Sequence, residues 1–187
     1  VTHYMLERYY DAAVGLARWL QTYPEHPMIW EARILRGDAL AALGELERAV
    51  AAYGEAGTNS GPYYHYAVAQ MGKCYKALEN YTNLLALYET YTRAVPDSPN
   101  LVEGLYWLGW AHGQLGNAAE ACEIYWRALL DHGNNRAWWG FDDIVRELSR
   151  FYNAGDGAAT FALRLREESA AARSRGKLTL ASRLQMA

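Results

Sequence analysis

The chain of 187 residues contains only two cysteines, Cys74 and Cys122, and they lie far apart. Neither begins the C-x-x-C spacing of a redox or zinc site, so we interpret both as packing residues of helices. The five histidines are scattered, without the close pairs that place two metal ligands on one helix face. The sequence therefore predicts neither a disulfide nor a metal site.

Long apolar runs and basic stretches are also missing. No run is long enough to cross a bilayer, and a net charge of −3 without a basic stripe disfavours nucleic-acid binding. The sequence has no phosphate-binding glycine loop and no nucleophile elbow. The adjacent pair Asp142 and Asp143 diverges by about 100° on a helix, so we interpret it as the acidic first turn of a helix. We expect a non-catalytic protein without cofactors.

Internal repetition is what the chain does have. Three times a proline is followed ten residues later by a glycine, then after twelve residues by alanine or leucine, then after four by tyrosine. The successive glycines lie 35 and 37 residues apart, a period typical of a unit that buries its apolar face only by stacking on its neighbours. The three sets are Pro27, Gly37, Ala49 and Tyr53; Pro62, Gly72, Leu84 and Tyr88; and Pro99, Gly109, Ala121 and Tyr125.

Each period predicts two antiparallel helices. Proline fits the first turn of a helix, where its missing N–H has no intrahelical acceptor, and Ser60 and Ser98 are the predicted N-caps. Because glycine inside a helix costs about 1 kcal/mol, the recurring glycine predicts that another backbone passes close by. Gly44 and Gly116 suit a left-handed turn between the helices, whereas Glu79 at the equivalent place predicts a different turn.

Helical patterns continue on both sides of the three periods. Residues 4–22 have the spacing of the second helix of an earlier repeat. Asn134 and Asn135 are the predicted caps of a later helix, which is followed by a break at Gly155 and Gly157, and a further helix stops at Gly176. The apolar face of the helix after the two asparagines consists of Trp138, Phe141, Val145, Leu148 and Tyr152.

This spacing resembles the tetratricopeptide repeat (TPR), a 34-residue helix-turn-helix with small residues at positions 8 and 20 and an aromatic residue at position 24. The repeat glycines, the Ala or Leu positions and the repeat tyrosines fall at these three positions. Position 4 departs from the pattern, with Arg33, Val68 and Leu105 where tryptophan is usual. The resemblance implies an all-α, right-handed α-α superhelix, a solenoid of TPR-like antiparallel helix hairpins.

On this resemblance the whole chain, 1–187, is a single solenoid. Because it begins with Val1 in the middle of a repeat, we expect it to be a piece of a longer protein. The implied units are a half repeat at 1–26, three repeats at 27–61, 62–98 and 99–133, a degenerate repeat at 134–176, and a cap or the start of a further repeat at 177–187.

The resemblance also implies a concave groove lined by the first helices of the repeats. The third repeat is unusually aromatic there, and Trp and Tyr bring a large contact area at low entropic cost. For Trp107 and Trp110 two interpretations stand equally: contact with a partner in the groove, or a place in the core between repeats. The predicted partner-binding groove consists of Tyr66, Gln70, Lys73, Tyr106, Trp107, Trp110 and Gln114.

The function implied by the resemblance is a non-catalytic scaffold or adaptor that binds a protein or peptide in this groove. Chaperone-binding members clamp a terminal carboxylate with Lys, Asn and Arg, and because that set is absent here we expect a peptide with apolar anchors. Two alternatives stay open: a homo-oligomerising module that stacks through its terminal repeats, and an accessory domain of a larger bacterial envelope, secretion or polysaccharide-handling protein, since aromatic platforms also suit a glycan.

Charge and coding bias add two expectations. Residues 161–187 carry six basic side chains against two acidic ones, which indicates either a solvated helix end, the preferred interpretation, or a docking face for an acidic surface. Arginine outnumbers lysine fifteen to three, which together with the Ala and Gly content is typical of a GC-rich bacterial genome. The periplasm or cell envelope is the preferred compartment, with the cytoplasm left open.

Overall fold

The computed structural model describes residues 3–135, 138, 140–154 and 157–187, with side chains from Met5 onward. Within these ranges every regular element is helical, so the predicted all-α class is confirmed. Of the predicted break, Gly155 lies outside the described residues, whereas Gly157 directly precedes the helix that begins at Ala158. The helices are α1 (His3–Thr22), α2 (Ile29–Ala42), α3 (Leu46–Gly54), a 3₁₀ turn (Thr58–Ser60), α4 (Pro62–Ala77), α5 (Tyr81–Ala94), α6 (Leu101–Gln114), α7 (Ala118–His132), α8 (Phe141–Asn153), α9 (Ala158–Ser174) and α10 (Leu178–Met186).

The chain divides into two compact units, Val1–Leu87 and Tyr88–Ala187. In the first unit α1 packs on α2, α2 on α3 and α3 on α4. None of the helices in the described part is long and apolar enough to cross a membrane. The core of this unit is built from small residues around one tyrosine, and includes Ala13, Ile34, Leu40, Ala49, Ala52, Tyr53, Ala56 and Ala67.

In the second unit α6 packs on α7, α7 on α8, α8 on α9 and α9 on α10. Its core is larger and more aromatic than that of the first unit, and includes Leu105, Tyr125, Trp126, Leu129, Phe141, Ile144, Leu148, Phe161, Leu165, Leu180 and Leu184. The apolar face predicted around α8 is confirmed: Phe141 and Leu148 are buried, and Trp138, Val145 and Tyr152 pack against this core.

The recurring glycine makes room for a tyrosine ring. A Cβ atom on Gly37 would overlap the ring of Tyr53, and one on Gly109 would overlap the ring of Tyr125. Each tyrosine lies sixteen residues after its glycine, on the second helix of the pair. The predicted close approach is therefore present, but the prediction that a backbone approaches there was wrong, because the approaching group is a side chain.

The three turns between paired helices have the same geometry. Gly44 and Gly116 have φ values of 79° and 80°, as predicted for left-handed caps. Glu79 also has a positive φ, 52°, so the prediction of a different second turn was wrong. Glutamate therefore adopts a conformation here that side chains disfavour. In each turn the N–H after the left-handed residue donates to a carbonyl five residues earlier, from Glu45 to Leu40, Asn80 to Tyr75 and Asn117 to His112.

The helix starts differ from the predicted ones. Pro62 is the first residue of α4, as expected, but Pro27 and Pro99 lie two residues before α2 and α6. Ser60 does not cap α4, because it lies in the 3₁₀ turn and donates to a carbonyl within that turn. Ser98 does not cap α6 either, since it accepts a backbone N–H in the turn ahead of that helix.

Asn134, a predicted cap of α8, instead contacts the first turn of α10. Its Oδ1 accepts the Leu180 N–H at 3.3 Å, and Lys177 Nζ donates to the Leu130 carbonyl at 2.8 Å. The guanidinium of Arg183 donates to carbonyl groups of the segment between α7 and α8. The last helix is therefore attached both to α9, which precedes it, and to the end of α7, far earlier in the chain.

Candidate protein-interaction surfaces

The predicted aromatic residues of the third repeat lie on α6, on the side that the core of the second unit leaves partly uncovered. Tyr106, Trp107 and Trp110 are half-buried and Gln114 is exposed. Trp107, Trp110 and Gln114 follow one another at intervals of three and four residues and form one stripe along the helix, and Tyr106 lies beside it, four residues before Trp110. The opposite side of α6 is buried and consists of Gly104, Leu105, Leu108, Gly109 and Ala111.

The three aromatic rings contact one another edge to face. The Tyr106 and Trp107 centroids are 5.2 Å apart with an interplanar angle of 78°, and those of Trp107 and Trp110 are 5.7 Å apart at 74°. Such pairs contribute about 0.5–1.5 kcal/mol beyond the burial of their area. The stripe is therefore a preformed aromatic surface, called the α6 aromatic surface below.

Two repeat tyrosines support this surface from behind. Tyr88 is buried and stacks on Trp107, with centroids 6.4 Å apart and planes 21° from parallel. Tyr125 is fully buried and lies 6.2 Å from the ring of Tyr106. Trp107 thus packs on the core through one face while part of its surface stays accessible. Trp107 is therefore partly a core residue, and its contact with a partner stays a prediction.

Charged side chains of α8 act on Tyr106. Burial raises the pKa of its hydroxyl, Glu147 and Asp143 raise that pKa further, and Arg146 and Arg150 oppose them. Each carboxylate pairs with the arginine three residues later, at 2.9 Å for Asp143 and 3.1 Å for Glu147. The hydroxyl is therefore protonated at neutral pH, and charges of both signs accompany it. The sequence alone predicted no contribution of α8 to this surface.

The remaining predicted residues lie on α4, in the first unit. Tyr66 is 40% exposed and donates to Asp38 Oδ1 at 3.0 Å. Tyr53 donates to the same oxygen at 2.7 Å from the core side. Lys73 Nζ donates to Gln70 Oε1 at 3.3 Å. The structure thus brings Tyr66, Gln70 and Lys73 onto one helix, with an aspartate of α2 holding the tyrosine.

The residue after the repeat glycine determines whether the hydroxyl of the repeat tyrosine has a hydrogen-bond acceptor. Asp38 follows Gly37 and accepts the hydroxyl of Tyr53. In the third period that place is held by Trp110, which carries no acceptor for a phenol. The hydroxyl of Tyr125 is buried and has no hydrogen-bond partner among the described residues. The sequence contains this difference, because the repeat glycine is followed by Asp38 in the first period and by Trp110 in the third.

The two cysteine thiols of this chain are poor nucleophiles. Cys74 is buried and Cys122 half-buried, and burial raises the pKa of both thiols, so neither is a ready thiolate. Within the described ranges no three His, Cys, Asp or Glu side chains gather to hold a metal ion. Asp142 and Asp143 lie in the first turn of α8, as predicted, and Asp143 pairs with Arg146.

Comparison with known proteins gives one family and several similar folds. A tetratricopeptide repeat family model matches residues 102–130, which lie in α6 and α7. Among solved structures, the MamA RS-1 ArsTM double mutant is 18% identical, with 95% of this chain and 85% of that one covered and a TM-score of 0.58. YrrB, described as a TPR protein with an unusual peptide-binding site, is 19% identical over 92% and 89%, with a TM-score of 0.47. No curated protein matches.

These findings agree with the helix pairs described above. The family model covers one pair, α6 and α7, and the MamA structure shares the fold over nearly the whole chain. The expected all-α class with TPR-like antiparallel helix pairs is confirmed. The chain has a TPR-like helical fold, and residues 102–130 match the tetratricopeptide repeat itself.

Proposed function

We propose that this protein is a non-catalytic interaction scaffold that binds a protein or peptide partner through the α6 aromatic surface. The observation that carries the proposal is that Tyr106, Trp107 and Trp110 are partly exposed while their rings contact one another edge to face. Half-exposed tryptophans that are already fixed by their neighbours lose little side-chain entropy when a partner covers them.

The surface has the composition of an interface hot spot. Trp and Tyr are enriched among residues whose truncation costs 2 kcal/mol or more, roughly a thirtyfold loss of affinity. The protonated hydroxyl of Tyr106 offers a polar contact beside the apolar rings. A peptide with one or two apolar anchors and flanking charges fits this combination, because Asp143, Arg146 and their neighbours present both signs.

The α4 residues contribute a second, more polar contact region in the first unit. Lys73 carries an exposed ammonium held near Gln70, and Tyr66 presents a ring fixed by Asp38. Such a region suits acidic and amide groups of a partner. We assign it a supporting role, because it has one exposed aromatic ring where α6 has three partly exposed ones.

The experiment is a peptide selection followed by measured affinities. A displayed peptide library is selected on the wild-type chain, and the dissociation constant of the best peptide is measured by calorimetry for three proteins. They are the wild type, the double variant Tyr106→Ala/Trp110→Ala, and the control Tyr23→Ala, which removes an exposed aromatic ring of the first unit.

We expect the double variant to bind at least about thirtyfold more weakly, and the control to bind within twofold of the wild type. Circular dichroism establishes that all three are folded. Undiminished binding by the double variant would place the site elsewhere, and a library that yields no peptide would remove the peptide-scaffold proposal.

A further inference from the structure

One side of α1 is apolar and uncovered in the described part of the first unit. Leu6, Tyr10 and Val14 follow one another at intervals of four residues and are 39%, 58% and 43% exposed. Their spacing places them in one stripe along the helix. A contiguous apolar stripe of this kind marks an interaction surface, whereas single exposed apolar residues do not.

The stripe lines a groove between α1 and the end of α2. One depression of about 640 Å³ lies between Leu6, Tyr10 and Leu43. A second, of about 130 Å³, shares Tyr10 and Leu43 and continues along α1 past Val14. A groove that follows a helix for three turns is shaped to receive the side of another helix or helix hairpin. We call it the α1 groove.

Two carboxylates border the wider part of this groove. Glu7 and Asp11 lie one turn apart on α1 and line the 640 Å³ depression together with the apolar residues. Asp11 forms no hydrogen bond or ion pair with any described residue. An occupant that buries the stripe therefore gains from carrying basic side chains at its edge.

A surface with the complementary properties lies on α9 in the second unit. Leu163 is 55% exposed, and Ala170 follows it at a helical interval with a small side chain that allows close approach. Arg166 and Arg173 lie in the same stripe and line a depression of about 400 Å³ that reaches α10. Arg173 donates to Gln185 at 2.8 Å, whereas Arg166 has no partner in the described part of the chain.

We propose that the α1 groove binds the α9–α10 hairpin of a second copy of this chain. Apolar Leu163 would fill the groove beside Tyr10, and the basic edge would meet the acidic one, with Arg166 opposite Asp11. The two surfaces are different, so the contact is heterologous and leaves one of each free for further copies. The basic final segment thereby gains an acidic surface to dock on, the interpretation that the sequence analysis did not prefer.

The test is a charge-reversal cycle followed by sedimentation velocity from low micromolar to near-millimolar concentration. The variants are Asp11→Arg, Arg166→Asp and the double reversal. The control is Asp97→Arg, which makes the same change of charge as Asp11→Arg at an exposed turn position outside both surfaces. Circular dichroism establishes that each is folded.

We expect the wild type to associate with increasing concentration and each single reversal to weaken association about tenfold, since a surface attraction is replaced by a repulsion. The double reversal should regain wild-type association, and Asp97→Arg should not change it. Wild-type association should also weaken with added salt, a measurement that needs no variant.

A wild type that stays monomeric over the whole range overturns the proposal, as does association that is indifferent to the single reversals or is not restored in the double one. A monomer would assign the α1 groove to a different occupant. The variant Tyr106→Ala/Trp110→Ala leaves both surfaces intact and should associate as the wild type does, so failure of this proposal and failure of the peptide-binding proposal are separately visible.

Discussion

Removing the hydroxyl from two equivalent tyrosines is expected to have opposite effects on stability. Tyr53 and Tyr125 each pack their ring against a repeat glycine and are buried to within 1% of their surface. The hydroxyl of Tyr53 donates to Asp38 at 2.7 Å, whereas that of Tyr125 has no partner among the described residues. The substitution to phenylalanine therefore isolates one hydrogen bond in a matched pair.

The magnitudes follow from the partners. A hydrogen bond to a charged group contributes about 1.5–3 kcal/mol, and because Asp38 keeps the hydroxyl of Tyr66 at 3.0 Å, we expect Tyr53→Phe to cost about 1.5 kcal/mol. A buried polar group without a partner costs about 1–3 kcal/mol. We therefore expect Tyr125→Phe to raise the free energy of unfolding by about 1 kcal/mol.

The assay is urea unfolding followed by circular dichroism, with comparison of midpoints at unchanged slope. A Tyr125→Phe variant that is destabilised by 1 kcal/mol or more would refute the reasoning, because it would mean that the hydroxyl is bonded. Equal effects in the two variants would show that ring packing, and not the hydroxyl, distinguishes these positions.

The same tyrosines give the experiment a pH dependence. Burial raises the pKa of Tyr53 and of Tyr125 far above the ordinary value of 10.0. The folded chain then keeps protons that the unfolded chain releases, so the contribution of these two hydroxyls to stability is constant below about pH 10 and falls as pH rises above it. Each phenylalanine variant should lose less stability between pH 9 and pH 11 than the wild type does, by the same urea assay.

Two further substitution pairs test the backbone. Gly37→Ala should cost about 1–3 kcal/mol of stability, because the new methyl group meets the Tyr53 ring. Gly15→Ala, inside α1 with nothing within 4 Å, should stabilise the protein by about 0.5–1 kcal/mol. Thermal melts of both variants compare the signs, and two equal shifts of the melting temperature would contradict the steric account. Glu79→Gly should stabilise the protein by about 1 kcal/mol and Gly116→Glu should destabilise it by a similar amount, since both residues lie in left-handed turns. Urea midpoints that move in the same direction would show that the positive φ does not determine which residue each turn prefers.

Local chemistry made much of the fold predictable from the sequence. A glycine past the last residue of a helix favours a left-handed turn, and Gly44 and Gly116 adopt one. The spacing of apolar residues around α8 predicted its buried face, because residues that recur with the helical period of 3.6 lie on one side of the helix. Glu79 was predicted wrongly, because it adopts a left-handed conformation that a residue with a side chain disfavours.

Long-range contacts account for what sequence reasoning missed. Asp38 holds Tyr66 across two helices, 28 residues later, and no local rule specifies that pair. Asn134 accepts a backbone N–H of α10, which begins more than forty residues after it, although its position in the sequence predicted a cap for α8. The candidate residues on α6 could be identified from position alone, but their ring geometry depends on Tyr88 and Tyr125, which other helices supply.

The attachment of α10 changes how the second unit should fold and open. In an ideal repeat stack each hairpin touches only its neighbours, so the ends fray while the middle persists. Here Lys177 and Arg183 form hydrogen bonds with residues 45–50 positions earlier, and the ring of Phe141 lies under that guanidinium at 3.9 Å. These contacts link the last helix to the start of α8. The unit should therefore exchange its amide hydrogens in one cooperative opening, with its C-terminal helix as strongly protected as α8.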